Sequence, residues 1–273
     1  MKNLYIIGNP VKHSLSPLIF NVWLKSHSLE YSYKKILMNK KTFGRDFKKL
    51  INKKNFFGAN ITIPFKEDVS QYVDFQDKPS KKIGAINCVY IKKNKTFGTN
   101  TDWLGYLNLI KKQNKKNKIK KNYALILGFG GSAKAVIYAL KKFGFKKIIV
   151  LVRNEKKIKK ISEYDKKITG MSLKKINSLI PKTDLLVNTT PANSKIEQLI
   201  NLNNTKRTVL VSDINYIPHQ TKLLKKAEKL KLKTLYGVDM LLLQAVPSFK
   251  QWFGFSPKIN KLIKNKCLKK IIK

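Results

Sequence analysis

The strand-like run Tyr123–Leu127, followed at once by Gly128-Phe129-Gly130-Gly131-Ser132-Ala133, constrains this chain more than any other segment. The turn fits G-x-G-x-x-A. In that pattern the first glycine makes a tight turn, and the second lets backbone approach a pyrophosphate. The small last residue lets helix and strand pack closely. A helix over Gly131–Phe143 would then turn its unpaired N–H groups toward the phosphates. Glycine clusters are common in turns, but between a strand and a helix this one predicts dinucleotide binding at Gly128, Phe129, Gly130, Gly131, Ser132 and Ala133. A strand–helix alternation continues through apolar runs at Lys147–Val152, 185–189, 209–213 and 234–236. Near-continuous apolar runs of this kind are the mark of a parallel sheet covered on both faces.

The end of the second strand selects the dinucleotide. An acidic residue there accepts hydrogen bonds from a ribose 2′-OH, whereas a basic one accommodates a 2′-phosphate. Here the strand runs into Arg153-Asn154, with Lys156 and Lys157 beyond, and Arg153 is one of only three arginines in 273 residues. NADP is therefore expected over NAD, with Arg153, Asn154 and Lys157 on its 2′-phosphate side.

The charge of +43, from 58 basic against 15 acidic residues, suggests a nucleic-acid partner at first sight. Its make-up weakens that reading. Nearly all the cations are lysines, which are spread along the whole chain, while arginine is the main reader of phosphate and guanine edges. Lysine, asparagine and isoleucine share A/T-rich codons, so a base-composition bias accounts for the excess without any specific nucleic-acid partner. No apolar run approaches the ~20 residues of a membrane span, the N-terminal apolar stretch is too short for a secretory signal, and two cysteines are too few for a disulfide framework or a cysteine zinc site. A cytoplasmic protein is expected.

The first hundred residues alternate apolar strands with short amphipathic helices. Strands are read at 4–7, Tyr31–Leu37 and 58–63, with a helix from Ser16, taken as its cap, to about Ser28 and another over Phe43–Ile51. A hairpin is read around Lys93-Asn94-Lys95. The polar run 111–121 (KKQNKKNKIKK) is the natural linker. This gives an α/β chain of two α/β domains: residues 1–110 forming the first, with 238–273 packing back on it, and 119–237 forming the Rossmann-type, doubly wound nucleotide domain. Polar groups gather at element ends in the first domain, at Ser14 and Ser16, Thr62 and Lys66, Asn87, and Asp102. Each has a bland reading as a cap, a turn residue or one lysine among many.

Taken in order, these segments resemble the shikimate dehydrogenase family. The resemblance rests on Ser14-Leu15-Ser16-Pro17, Asn60-Ile61-Thr62-Ile63-Pro64-Phe65-Lys66, Gly84-Ala85-x-Asn87 and Asn100-Thr101-Asp102-x-x-Gly105. It continues through the glycine turn, Asn188-Thr189-Thr190-Pro191, Asp213-Ile214-Asn215-Tyr216-x-Pro218 and Gly237-x-x-Met240-Leu241-x-x-Gln244. It implies a two-domain enzyme with its active site in the cleft, reversibly reducing 3-dehydroshikimate to shikimate with NADPH in chorismate and aromatic amino-acid biosynthesis. Lys66 and Asp102 are implied as the catalytic acid/base pair. Ser14 and Ser16 would bind the substrate carboxylate, and Thr62, Asn87, Tyr216 and Gln244 its hydroxyls and carboxylate. Thr189, Ile214 and Gly237 join the cofactor contacts, with Met240 a weaker member.

The chain departs from the family pattern at Phe129 and Ser132, where alanines are usual, and at Val152 and Asn154, where Asn and Thr flank the arginine. Tyr236 replaces the usual acidic or amide residue. A quinate/shikimate dehydrogenase of broader substrate and cofactor use is the nearest alternative. A folate one-carbon dehydrogenase is disfavoured by the SLSP and N-T-D-x-x-G segments, and intact Lys66 and Asp102 disfavour a decayed fold serving nucleic acid. A monomer or a homodimer is expected.

Overall fold

The computed structural model describes residues 1–272. The chain divides into one unit of Met1–Gly105 with Leu242–Lys269 and a second built on Tyr106–Leu241. In the first, β1 (Lys2–Gly8), α1 (Ser16–Ser26), β2 (Tyr31–Leu37), α2 (Phe43–Ile51) and β3 (Phe56–Ile61) form a β/α alternation. After it come β4 (Phe75–Gln76), α3 (Lys78–Ile83), the hairpin strands β5 (Cys88–Lys92) and β6 (Lys95–Thr99), and the start of α4 (Asp102–Lys116), which runs on into the second unit from Tyr106. The strands make one sheet in the order β2-β1-β3-β5-β6-β4, parallel except where β5 pairs β3 and β6. β1 is buried at six of its seven positions because both sheet faces are covered. One face packs Tyr5, Ile7, Phe43, Phe47, Phe56 and Phe65. On the other, Phe20 stacks on Tyr33 at 4.5 Å and meets Trp252 at 5.1 Å.

The second unit continues with β7 (Tyr123–Leu127), α5 (Gly131–Phe143), β8 (Lys147–Val152), α6 (Lys156–Tyr164), β9 (Ile168–Ser172) and the short α7 (Ile176–Leu179). Then follow β10 (Leu185–Asn188), β11 (Leu210–Asp213), α8 (Lys222–Lys229) and β12 (Lys233–Tyr236). All its strands are parallel, in the order β12-β11-β10-β7-β8-β9. That is the doubly wound order of a Rossmann sheet, with the topological switch between β7 and β10, where such sheets bind ligands. Two helices close the chain, α9 (Gly237–Phe253), crossed by Pro247, and α10 (Lys261–Ile271). Among the described residues no helix is long and apolar enough to cross a membrane.

Four local readings change. The run 111–121 is helical as far as Lys116, because α4 carries on through its lysines. The third strand is Phe56–Ile61 rather than 58–63. β9 is a full strand that its sequence, Ile-Thr-Gly-Met-Ser, conceals: Gly170 is needed because a Cβ there would press on Ile158 and Ile161 of α6. Ser16 is not the cap of α1. Leu15 holds that position, and the Ser14 hydroxyl accepts the Ser16 N–H at 3.3 Å instead.

Cys88 and Cys267 are free and fully buried. Burial pushes the Cys88 thiol up to about 12 and the Cys267 thiol to about 11. Because the thiolate is the reactive form, the native protein is expected to leave both unlabelled by a disulfide reagent at pH 8. Both should react promptly once denaturant is added. Rapid native labelling of either would contradict this packing.

Candidate active site

The motif segments of the first unit meet at one edge of its sheet. β1 and β3 are parallel and end there, β5 begins there, and β6 ends there before α4. The backbone ties them together. Ile61 N–H donates to Asn87 O (2.9 Å), Ile86 N–H to Lys66 O (2.7 Å) and Asn87 N–H to Thr99 O (3.1 Å). Gly84 ends α3 in the left-handed region (φ 67°), a conformation that favours glycine, and so turns the chain into Asn87. Gly105 serves a different need: a Cβ there would lie 2.7 Å from Gln244 N, so glycine alone lets α9 come close to α4.

At this edge Lys66 Nζ donates to Asp102 Oδ2 at 2.7 Å, with side chains 13% and 7% exposed. Asn87 Nδ2 donates to the other carboxylate oxygen, Oδ1, at 2.8 Å. The orientation of the Asn87 amide follows from its neighbours. Thr101 N–H can only donate and reaches Asn87 Oδ1 at 2.6 Å, so Nδ2 must face Asp102. Gln244 Oε1 accepts from Asn87 Nδ2 at 3.2 Å. Lys66, Asn87, Asp102 and Gln244 thus form one hydrogen-bonded group. Asp102 is free for it because the Asn100 side chain, not its own, accepts the first-turn N–H groups of Asp102 and Trp103.

Thr62 follows β3 directly, half-buried, and its side chain fills the space where a Cβ on Gly8 would lie, 2.3 Å from Thr62 Cγ2. Ser14 is half-buried and Ser16 buried, at the start of α1. A hydroxyl that accepts a backbone N–H, as Ser14 does, keeps its own proton to donate. Tyr216 belongs to the second unit, half-buried in the loop after β11.

In that second unit Gly128 has φ +99°, and a Cβ there would meet Thr189 Oγ1 at 3.1 Å and Thr190 Cγ2 at 3.2 Å. Gly130 occupies the cap position of α5 with extended backbone and no side-chain cap. Ala133 is buried under the helix. This cradle fits a pyrophosphate. The Phe129 ring meets Tyr164 edge-on at 5.5 Å, with Lys134 Nζ 5.3 Å from its centroid, so its bulk packs α5 onto α6. Arg153, Asn154 and Lys157 are exposed after β8. Asn154 Oδ1 accepts Lys156 N–H at 3.0 Å, closing the turn that displays the arginine.

Loops at the switch point are knitted just as tightly. Thr189 Oγ1 donates to Leu127 O (2.6 Å), Asn188 Nδ2 to Asp213 Oδ2 (3.0 Å), and Ile214 N–H to Asn188 O (3.1 Å). Asp213 is buried, and burial raises its carboxyl above the usual range, partly offset by donors from Asn188 and Asn215. Sequence reasoning assigned no role to Thr101, Asn188 or Asp213. The signal available was that polar residues recur inside otherwise apolar strand ends.

The family model for the shikimate dehydrogenase substrate-binding domain matches residues 6–89, and that for shikimate/quinate 5-dehydrogenase matches residues 109–241. A shikimate dehydrogenase (NADP(+)) of Bartonella quintana is 35% identical over 97% of this chain and 92% of its own. The crystal structure of shikimate dehydrogenase from Aquifex aeolicus superimposes with a TM-score of 0.87 at 32% identity, covering 98% of this chain and 97% of that one. The enzyme from Thermus thermophilus in complex with NADP(H) and shikimate does so with a TM-score of 0.81 at 27% identity over both full lengths. With matches spanning both units and the lysine–aspartate pair seated at the sheet edge, this chain belongs to the shikimate dehydrogenase family.

Proposed function

We propose that the protein catalyses the reversible, NADPH-dependent reduction of 3-dehydroshikimate to shikimate. The observation that carries this reading is the 2.7 Å pair of Lys66 and Asp102, held by Asn87 within a chain of this family. NADPH, when bound, supplies the hydride that turns the ketone carbon into an alcohol carbon. The chain supplies the proton. Lys66 Nζ donates it to the ketone oxygen as negative charge develops there, and takes it back from the hydroxyl in the reverse direction. Asp102 fixes the ammonium and offers its remaining lone pairs to a substrate hydroxyl. The Ser14 and Ser16 hydroxyls take the carboxylate, and Thr62, Gln244 and Tyr216 the other polar groups of the substrate. Asn87 acts first through Asp102, since its amide already donates to that carboxylate at 2.8 Å.

Gly128, Gly130 and Gly131 with the start of α5 would hold the pyrophosphate. Phe129, Ser132 and Ala133 complete the turn, Thr189, Ile214 and Gly237 line the nicotinamide side, and Arg153, Asn154 and Lys157 hold the 2′-phosphate. The assignment is consistent with a cytoplasmic setting, in keeping with two unpaired, buried cysteines.

The decisive assay follows NADPH oxidation by absorbance with 3-dehydroshikimate, beside an NADH control. Turnover with NADPH is expected, with NADH much poorer, whereas folded protein silent with both cofactors would end this reading. Arg153→Ala removes the charge that distinguishes the two cofactors. KM for NADPH is expected to rise about tenfold or more, since a charge-assisted contact contributes about 1.5–3 kcal/mol, while NADH kinetics stay unchanged. An equal effect on both would show that Arg153 does not read the 2′-phosphate.

A further inference from the structure

Behind the Lys66–Asp102 pair lies a buried chain of polar side chains that substrate and cofactor binding leave unused. Asn60, on β3, donates through Nδ2 both to Asn87 O and to Ser248 Oγ on α9, each at 3.0 Å. Its Oδ1 accepts from Tyr33 Oη at 2.7 Å. A carbonyl can only accept, so Asn87 O forces the Asn60 amide to present Nδ2 on this side. Ser248, 0% exposed, therefore receives a proton from Asn60 and must pass its own onward. Its hydroxyl lies 2.9 Å from Thr101 Oγ1, where either oxygen can donate, and 3.3 Å from Gln244 O, and it also meets the buried Cys88 side chain. When Ser248 is the donor of this pair, the Thr101 hydroxyl directs its own proton to Asn87 Oδ1 at 3.1 Å or Gln244 Oε1 at 3.4 Å. Thr101 Oγ1 also accepts from Asn87 Nδ2 at 3.0 Å, through its second lone pair. The Asn87 Nδ2 protons are thus divided among Asp102 Oδ1, Thr101 Oγ1 and Gln244 Oε1, and the direction of the Thr101 hydroxyl bears on how they are divided.

We infer that Ser248, backed by Asn60, is a positioning residue of this enzyme. It sets the direction of the Thr101 hydroxyl, and through it the Asn87 amide that holds the Asp102 carboxylate toward Lys66. The inference rests on the reaction proposed above. A serine in mid-helix has little reason otherwise to sit fully buried: it lowers helix propensity, and a buried hydroxyl must find partners. Pro247 beside it offers no N–H to the preceding turn, so this stretch of α9 is shaped by its side-chain contacts more than by an unbroken ladder.

The test is a double-mutant cycle on the full-length protein. Ser248→Ala alone is expected to lower kcat about five- to tenfold with KM for NADPH unchanged, because the nucleotide contacts lie elsewhere. On a Thr101→Val background the same change is expected to have almost no further effect, because the hydroxyl it directs is gone. A purely structural role predicts losses that multiply, and either that result or unchanged kcat in Ser248→Ala would overturn the inference. Should alanine at 248 prevent folding, Ser248→Cys, nearly isosteric but a weak donor, runs the same cycle. A readout independent of turnover is the side-chain amide signal of Asn87 in ¹⁵N-edited NMR. It is expected to be protected from exchange in the wild type and to broaden or shift in Ser248→Ala. A wild-type protein without turnover would defeat the assigned reaction, and the Asn87 signal would still decide for or against the positioning role.

Discussion

Lys66→Ala is expected to lower kcat by about two to four powers of ten, the usual contribution of a positioned proton donor. KM for NADPH should stay within about twofold, as no nucleotide contact is assigned to Lys66. The size follows from the geometry. Reduction places negative charge on one oxygen, and the ammonium held at 2.7 Å by Asp102 is the acid the site provides for it. Solvent water could reach the oxygen in the mutant, but as a far weaker acid without fixed orientation. Stability should fall modestly. Asp102 loses one charged partner but keeps the Asn87 donor at 2.8 Å, so a loss of about 1–3 kcal/mol is expected, that of a hydrogen-bonded buried group left short of a partner. Steady-state kinetics beside a thermal melt separate the two effects. A melt lowered by a few degrees with kcat reduced at least a hundredfold supports the proton-donor role, whereas kcat within about threefold of wild type would remove Lys66 from the chemistry.

How much of this was legible beforehand depended on whether local rules or tertiary contacts decide a residue. The strand β7, the turn at Gly128 and the helix α5 were readable because period, glycine conformation and helix start all act within a dozen residues. The position of Arg153, as the first residue past β8, was readable for the same reason. β9 was not, because its place is granted by pairing to β8 and by Gly170 lying under Ile161 of α6, neither of which leaves an apolar signature. The end of α4 was misjudged because lysines read as solvated linker, yet long lysine side chains are good helix formers when one face stays buried. The pairing of Lys66 with Asp102 came from family resemblance rather than spacing, since thirty-six positions separate them. Asn60 and Ser248 lie 188 positions apart, and nothing local marks either as a partner of the other. The capping arrangement shows the same limit. Ser16 and Asp102 both look like helix caps, and in each case a neighbour, Leu15 or Asn100, holds the place.

Gly237→Ala is expected to be among the most damaging single-methyl additions in the second unit, even though Gly237 does not sit in the positive-φ region. Space, not conformation, is the constraint. A Cβ at 237 would lie 2.4 Å from both Ile214 O and Asn215 O, and backbone oxygens have no rotamer by which to move aside. Their loop is also pinned: Ile214 N–H is held by Asn188 O at 3.1 Å, Asn215 N–H by Asp213 Oδ1 at 3.0 Å, and Asn215 Nδ2 by Thr190 O at 2.9 Å. Relieving the clash therefore means breaking contacts on buried Asn188 and Asp213, or shifting α9 at its first residue. Overpacking of this kind costs about 1–3 kcal/mol and sometimes more. The expected fall in melting temperature is about 2–12 °C, at roughly 2–4 °C per kcal/mol for a protein of this size. Ile214 and Tyr216 ride on the displaced loop, so KM for NADPH should rise severalfold along with the loss of stability. Lys66, after β3, and Asp102, at the first residue of α4, both belong to the other unit, and their pair has no part in the clash. Shikimate binding measured without nucleotide should therefore weaken far less than NADPH binding measured without shikimate. If the variant melts within a degree of wild type and binds NADPH unchanged, the loop is softer than its hydrogen bonds imply, and Gly237 has no steric role at the nicotinamide side.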